Sequence, residues 1–293
     1  MAGAILLSEE VEARHAEALA RVAPARPRVV LRGEEPDGDP REVEIAFFSG
    51  DLYPARTRFL AKAMAPAVET GRLRWLHTFS AGVDHPWFQR LLAQGVRLTT
   101  SAGASAVPIA HTVMLYLLAL SRDLPGWLDD QRARRWRPRD VRDLQGLRLG
   151  VVGVGAIGGE VARLAAAFGM EVVGVRRRPR GDEPCPTRPL AELDALLPGL
   201  DALVLALPLD AASEGLLSAE RLARMKPGAW LVNVGRGALV DEDALAAARA
   251  AGRLGGAGLD VFRTEPLPAD HPFWRHPRIT VMPHTARRPR AAR

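Results

Sequence analysis

The sequence predicts an α/β protein of two domains, the second a doubly wound parallel sheet. Three observations predict it. Short apolar runs alternate with Ala-rich or amphipathic stretches along the chain, the rhythm of parallel strands linked by crossover helices. The length of 293 residues suits two domains at about 150 residues each. Gly153-Val154-Gly155-Ala156-Ile157-Gly158 stands between a predicted strand at 148–152 and a predicted helix at 159–168. In such a strand–turn–helix unit one glycine makes the turn, one admits a pyrophosphate, and one lets helix and strand pack closely. A dinucleotide is the ligand this pattern implies.

Residues 4–7 form the first predicted strand. Ser8 reads as a helix N-cap, with Glu9 and Glu10 placed to complement the helix dipole. The helix should end near Val22, ahead of Pro24 and Pro27. Strands follow at 29–31, 43–48, 73–78 and 96–99, with helices at 55–69 and 87–93. The Gly-, Pro- and acid-rich stretch 33–41 reads as a surface loop. Residues 107–120 form a helix too short to span a membrane and apolar enough to be buried on several sides. The Arg-rich segment 123–143 carries Trp127 and Trp136, both expected to pack. The second half then supplies strands at 149–152, 171–175, 202–206, 230–234, 256–261 and 279–282, with helices at 191–197, 219–225 and 242–251. Six strands complete a doubly wound dinucleotide-binding sheet.

Composition narrows the function classes. The single cysteine, Cys185, rules out an internal disulfide and a multi-Cys metal site, and no metal is expected. No apolar run approaches the ~18 residues of a membrane span. The N-terminal AILL lacks the length and preceding charge of a signal peptide. A cytoplasmic protein without a membrane partner is expected. The formal charge is +6, yet only Lys62 and Lys226 among 40 basic residues are lysines. Arginine is spread along the chain as alanine is, and no nucleic-acid motif accompanies it, so no nucleic-acid partner is expected. A positive field does suit a carboxylate or a phosphorylated cofactor.

Three polar residues follow predicted strand ends in the second half: Arg236 after 230–234, Glu265 after 256–261 and His284 after 279–282. Ligands of open α/β sheets bind at that edge. The three suit hydride transfer to a carbonyl. His284 would be the acid/base and Glu265 its charge partner. Arg236 would bind a substrate carboxylate and polarise the reacting carbonyl.

The segments NVGRGALVDEDAL (233–245), GLDVFRTEPLP (258–268), MPHTA (282–286) and SAGVDH (80–85), together with the glycine turn, resemble signatures of the D-isomer-specific 2-hydroxyacid dehydrogenase family. The resemblance runs from about residue 73 to 286. It implies a flavodoxin-like substrate domain at 1–103, a Rossmann-type NAD(P)-binding domain at 104–286 and a basic tail at 287–293. It also implies an active site in the cleft between domains and a homodimer built mainly on the cofactor domain and its long helix. The substrate would be a small 2-oxo or 2-hydroxy acid. By the same resemblance His284 is the catalytic acid/base, Glu265 its partner and Arg236 the substrate-binding arginine. Ala81, Gly82 and Val83 form the loop whose amides hold the substrate carboxylate. Gly153, Gly155, Ala156, Ile157, Gly158, Arg176, Arg177, Pro208 and Asp260 bind the cofactor, Asp260 at the nicotinamide carboxamide. Trp136 matches a residue that reaches the partner subunit's active site in some members.

Two departures shape the functional expectation. Where NAD enzymes usually carry Asp or Glu at the end of the second strand, this chain has Arg176-Arg177-Arg178 and no acid until Asp182. Guanidinium groups bind a 2′-phosphate that a carboxylate would repel. NADP(H) is therefore expected over NAD(H), with glyoxylate or hydroxypyruvate as substrate. The second departure is that members usually continue past the catalytic histidine and return a helix to the first domain. ARRPRAAR does not resemble that helix, so truncation, frameshift or natural shortness is expected to leave the first domain partly uncovered. Lesser departures are His111, where Glu is frequent, and Asp210, where Thr is frequent. The alternatives are an NAD-linked phosphoglycerate, phosphite or formate dehydrogenase of this family, or a non-catalytic dinucleotide sensor on the same fold.

Overall fold

The computed structural model describes residues 2–53 and 55–286; the expected basic tail at 287–293 lies outside them. The chain divides into two compact units, Met1–Ala102 and Gly103–Arg293.

The first unit contains β1 (Ala4–Ser8), α1 (Glu9–Val22), β2 (Arg28–Arg32), β3 (Glu35–Asp37), β4 (Val43–Phe48), α2 (Thr57–Glu69), β5 (Trp75–Thr78), α3 (Pro86–Ala93) and β6 (Arg97–Thr100). Ser8 caps α1, accepting a hydrogen bond from the Val11 amide. The sheet order is β3-β2-β1-β4-β5-β6. Without β3 this is the flavodoxin-like order 2-1-3-4-5. Strand β3 pairs antiparallel with β2, so the stretch read as a loop contains a hairpin strand. Three polar or Pro residues leave no apolar signal for it. Leu6, Leu31, Leu60, Met64 and Leu76 lie in the core of this unit.

The second unit contains α4 (Ala106–Ser121), α5 (Leu124–Arg132), β7 (Arg148–Val152), α6 (Ala156–Ala167), β8 (Glu171–Arg176), β9 (Thr187–Pro189), α7 (Leu193–Leu196), β10 (Ala202–Leu205), α8 (Ala219–Arg224), β11 (Trp230–Asn233), α9 (Glu242–Ala250), β12 (Gly256–Leu259) and β13 (Ile279–Val281). The order is β13-β12-β11-β10-β7-β8-β9, with every pairing parallel. This is the Rossmann order 3-2-1-4-5-6 with one strand added. The sequence pattern showed six strands; the seventh, β9, is Thr-Arg-Pro at a sheet edge and has no apolar run. Strands β10, β11 and β12 are buried at every position. Leu203 and Leu205 enter the core on one face, Ala202 and Val204 the core on the other. Alternate side chains thus meet helices on both sides, which explains a continuous apolar strand rather than an alternating one.

Helix α4 buries ten of its residues and packs on α6, β11 and β12, while Val107 and Leu115 stay about half exposed. The segment after it folds into α5, which polarity had concealed. Trp136 is 100% exposed, so it does not pack within its own chain as expected. Among the described residues no single helix is long and apolar enough to cross a membrane.

Strand β7 and helix α6 meet at the glycine turn. A Cβ on Gly158 would lie 2.1 Å from the Gly153 carbonyl oxygen, whereas one on Gly155 would meet nothing within 4 Å. Gly158→Ala should therefore lose about 1–3 kcal/mol of stability through overpacking. Gly155→Ala should leave the thermal melting temperature unchanged while weakening dinucleotide binding. Thermal melts of both variants, with and without cofactor, check this pair of outcomes.

Candidate active site

The turn after β7 opens one wall of a cavity of about 710 Å³. Gly153 and Gly155 line it, as do Arg176 at the end of β8, Arg177 beyond it and Pro208 beyond β10. Gly155 is the N-cap of α6, and the amides of Ala156 and Ile157 donate to no protein acceptor among the described residues. Unsatisfied amides at the positive end of a helix attract a pyrophosphate. Gly158, by contrast, lies under the turn and serves packing. The residues present thus fit a dinucleotide: room at Gly155, donors at the helix end and cations at the far end.

Those cations are not bare. Arg176 Nη1 donates to Glu183 Oε1 at 2.9 Å. The same oxygen accepts from the Arg180 amide at 2.7 Å, and Oε2 accepts from Gly181 at 2.8 Å. The hydrogen bond from the Arg180 amide, opposed by desolvation and reinforced by Gly181 and Arg176, brings the Glu183 carboxyl down to about 2. Arg177 pairs with Asp210 across the cavity. Glu183 was missed from sequence because the chain folds back seven residues after Arg176, a return that spacing does not announce.

The proposed catalytic group gathers on the loops after β11, β12 and β13. Asn233 Nδ2 donates to the Arg236 carbonyl and its Oδ1 accepts from Gly235, fixing the turn that carries Arg236. Gly237 then passes against the backbone of the next loop: a Cβ there would lie 1.9 Å from the Phe262 carbonyl carbon. Only glycine allows that approach, which brings the Arg236 turn beside the loop of Glu265. Glu265 Oε1 accepts from the Phe262 amide at 2.9 Å, and Oε2 meets His284 Nδ1 at 2.7 Å. Burial acts to raise the Glu265 pKa. The hydrogen bonds from His284 and Phe262, and the charges of His284 and Arg236, outweigh it and lower the value below normal. An ionised Glu265 only accepts, so Nδ1 carries the proton of this pair and Nε2 is left for chemistry.

His284 has φ +52, a left-handed conformation that costs a non-glycine residue about 1–2 kcal/mol. Asp260 holds it there. The Asp260 carbonyl accepts from the His284 amide at 2.9 Å, and its carboxylate accepts from the amides of Thr285 and Ala286 at 2.9 and 3.2 Å. Burial is the largest influence on this carboxyl and raises its pKa, against the Thr285 amide and the His284 charge. Asp260 thus organises the histidine turn, a role its sequence reading did not include. It does not line the cavity that holds Gly153 and Arg177.

In the first unit, the loop after β5 carries Ala81, Gly82 and Val83. The carbonyls of Gly82 and Val83 accept from Ser80 Oγ and Gln89 Nε2 at 3.0 and 2.8 Å. The three amides donate to no protein group among the described residues. Open backbone amides of this kind are available to an anion.

Fold and site together define a nicotinamide-dinucleotide-dependent oxidoreductase. The family model for the D-isomer specific 2-hydroxyacid dehydrogenase NAD binding domain matches residues 114–286. A relative named glyoxylate/hydroxypyruvate reductase A, from Serratia proteamaculans, is 36% identical over 226 residues, covering 74% of this chain and 71% of the relative. The crystal structure of a D-isomer specific 2-hydroxyacid dehydrogenase from Xanthobacter autotrophicus Py2, in complex with NADPH and MES, has a TM-score of 0.79 at 32% identity. That likeness covers 98% of this chain and 89% of that one. An NADPH-dependent glyoxylate/hydroxypyruvate reductase from Sinorhizobium meliloti, in complex with NADP and sulfate, has a TM-score of 0.78 at 27% identity, covering 98% and 90%. The chain belongs to the D-isomer specific 2-hydroxyacid dehydrogenase family and acts on the CH–OH group of donors.

Glu265→Gln keeps the shape of the pair and removes its charge. The ring then loses its charged acceptor, and kcat/KM for oxoacid reduction should fall. Glu265 itself, with a lowered pKa, stays ionised above the ordinary carboxylate range near 4.3, and its contribution fades only as pH falls through the lowered value. The acid limb that Glu265 sets should therefore be absent in the variant, which a pH–rate profile of both proteins checks.

Proposed function

We propose that the protein is an NADP(H)-preferring 2-oxoacid reductase whose substrate is glyoxylate or hydroxypyruvate. The observation that carries this reading is the His284–Glu265 pair beside Arg236, on the same sheet edge as the dinucleotide cavity. The names and bound cofactors of the relatives support the substrate class and NADPH. The cluster Arg176, Arg177, Arg178 and Arg180 at the far end of the cavity supports a 2′-phosphate.

A bound reduced nicotinamide dinucleotide supplies hydride to the 2-oxo carbon. His284 gives the Nε2 proton to the resulting alkoxide oxygen, and Glu265 stabilises the imidazolium before transfer and fixes the ring. Arg236 holds the substrate carboxylate and polarises its carbonyl. Open amides of Ala81, Gly82 and Val83 bind the carboxylate. Gly153, Gly155, Ala156, Ile157, Arg177 and Pro208 hold the dinucleotide, with Asp260 at the nicotinamide.

A second reading, use of NAD(H), is favoured by the pairing of Arg176 and Arg177 with carboxylates. A spectrophotometric screen of 2-oxoacids with NADPH and NADH separates the two. Glyoxylate or hydroxypyruvate turnover with higher kcat/KM for NADPH is the expected outcome; a clear NADH preference would sink the cofactor assignment. Arg176→Asp should weaken NADPH more than NADH. His284→Ala should lower kcat by about 10²–10⁴ if it transfers the proton. Cofactor binding without any turnover would leave the non-catalytic sensor as the better account.

We also propose a homodimer. Leu115, Leu124, Leu128 and Trp274 are 39–50% exposed and surround a second cavity of about 560 Å³ beside α4 and α5, an apolar surface of the kind that marks a protein contact. Sedimentation should give twice the chain mass of 31.7 kDa, and Leu115→Glu with Trp274→Glu should shift it toward that of one chain.

A further inference from the structure

Asp210 departs from the family resemblance, and the proposed reaction gives it no part. The structure places it opposite the arginine cluster. Asp210 follows β10 and Arg177 follows β8, and both line the dinucleotide cavity. Arg177 Nη2 donates to Asp210 Oδ2. The other carboxylate oxygen, Oδ1, accepts from the amides of Ala212 and Ser213 at 3.0 and 3.0 Å. The Asp210 amide donates to Ser213 Oγ at 2.8 Å. The carboxylate is therefore held by its own turn, and the long Arg177 side chain, 64% exposed, comes to it.

The hydrogen bond from Arg177, against desolvation and with help from Ser213 and Ala212, lowers the Asp210 pKa, so the group is charged at neutral pH. A ribose 2′-phosphate and the Asp210 carboxylate make the same demand on a guanidinium: paired acceptors and negative charge. The two cannot both take the Nη2 edge of Arg177. The neighbouring Arg176 is already committed to Glu183. Arg178 and Arg180 make no side-chain ion pair among the described residues.

Resting on the dinucleotide site proposed above, we infer that Asp210 is a specificity-determining residue. It is a resident counter-ion that holds Arg177 and reduces discrimination between 2′-phosphorylated and unphosphorylated dinucleotides. A carboxylate tied to its own turn stays in place when cofactor arrives, so Arg177 must leave it before bonding a phosphate. Removing the carboxylate's charge frees the guanidinium. The effect is selective because an unphosphorylated ribose makes no comparable claim on Arg177.

Asp210→Asn tests this, since the amide oxygen can still accept from Ala212 and Ser213. Titration calorimetry on the full chain with 2′,5′-ADP and 5′-AMP isolates the adenosine end. The preference for 2′,5′-ADP over 5′-AMP should rise about 2- to 5-fold, the range an exposed ion pair reaches, with 5′-AMP affinity held within about twofold. Asp210→Thr should move it the same way. In an Arg177→Ala background Asp210→Asn should change nothing, which ties the effect to this pair. An unchanged preference in Asp210→Asn overturns the inference. So does equal weakening of both probes, which would mean that the pair clasps the cavity or braces the turn. A wild type without preference that gains one on substitution would sink NADP(H) preference and keep this inference; no preference in either protein sinks both.

Discussion

Burial of the central parallel strands on both faces governs the second unit. Strands β10, β11 and β12 present no exposed position, and their amides and carbonyls are used in the ladder. Polar side chains are admitted only where the strands end. The loops after β7, β8, β10, β11, β12 and β13 therefore carry the polar side chains, and they leave the sheet at one edge because all the strands run the same way. Close backbone approach then decides how tightly these loops assemble. Gly158 under the first turn and Gly237 against Phe262 are two of the places where a single methyl group would collide with neighbouring backbone.

Within that edge, charge is arranged in pairs. Glu265 faces His284, Asp260 braces the histidine turn, Glu183 gathers Arg176 with two backbone amides, and Asp210 meets Arg177. A carboxylate fixed by backbone amides stays in place, and Glu265, Glu183 and Asp210, each held below the usual carboxylate range, can orient a neighbouring side chain. The same device holds the His284 imidazole at one end of the sheet edge and the Arg176 and Arg177 guanidinium groups at the other.

Much of this was legible in the sequence. Apolar runs marked the strands of the parallel ladders other than β9, most plainly β10, β11 and β12, which are buried at every position. The glycine turn stands between a strand and a helix, as its sequence context implied. His284, Glu265 and Arg236 could be named because each follows a strand end. Strands β3 and β9 escaped notice, since edge strands of three residues need no apolar run. Helix α5 was hidden by its polar face, and Trp136 stands exposed where composition suggested packing.

By itself the sequence determined the fold class, the order of the longer strands and helices and the residue types available at the sheet edge, because periodicity and turn chemistry are local properties. Tertiary structure alone decided the pairings: Arg176 with Glu183, Arg177 with Asp210, and Asp260 with the amides beyond His284. Arg177 meets Asp210 because β8 and β10 end at the same edge of the sheet, Asp260 meets the amides beyond His284 because β12 and β13 pair, and Glu183 reaches Arg176 because the chain after β8 folds back. Arginines that read as open cations in the sequence are thus already engaged in the fold, and a carboxylate that looked incidental at Asp210 faces the ligand cavity.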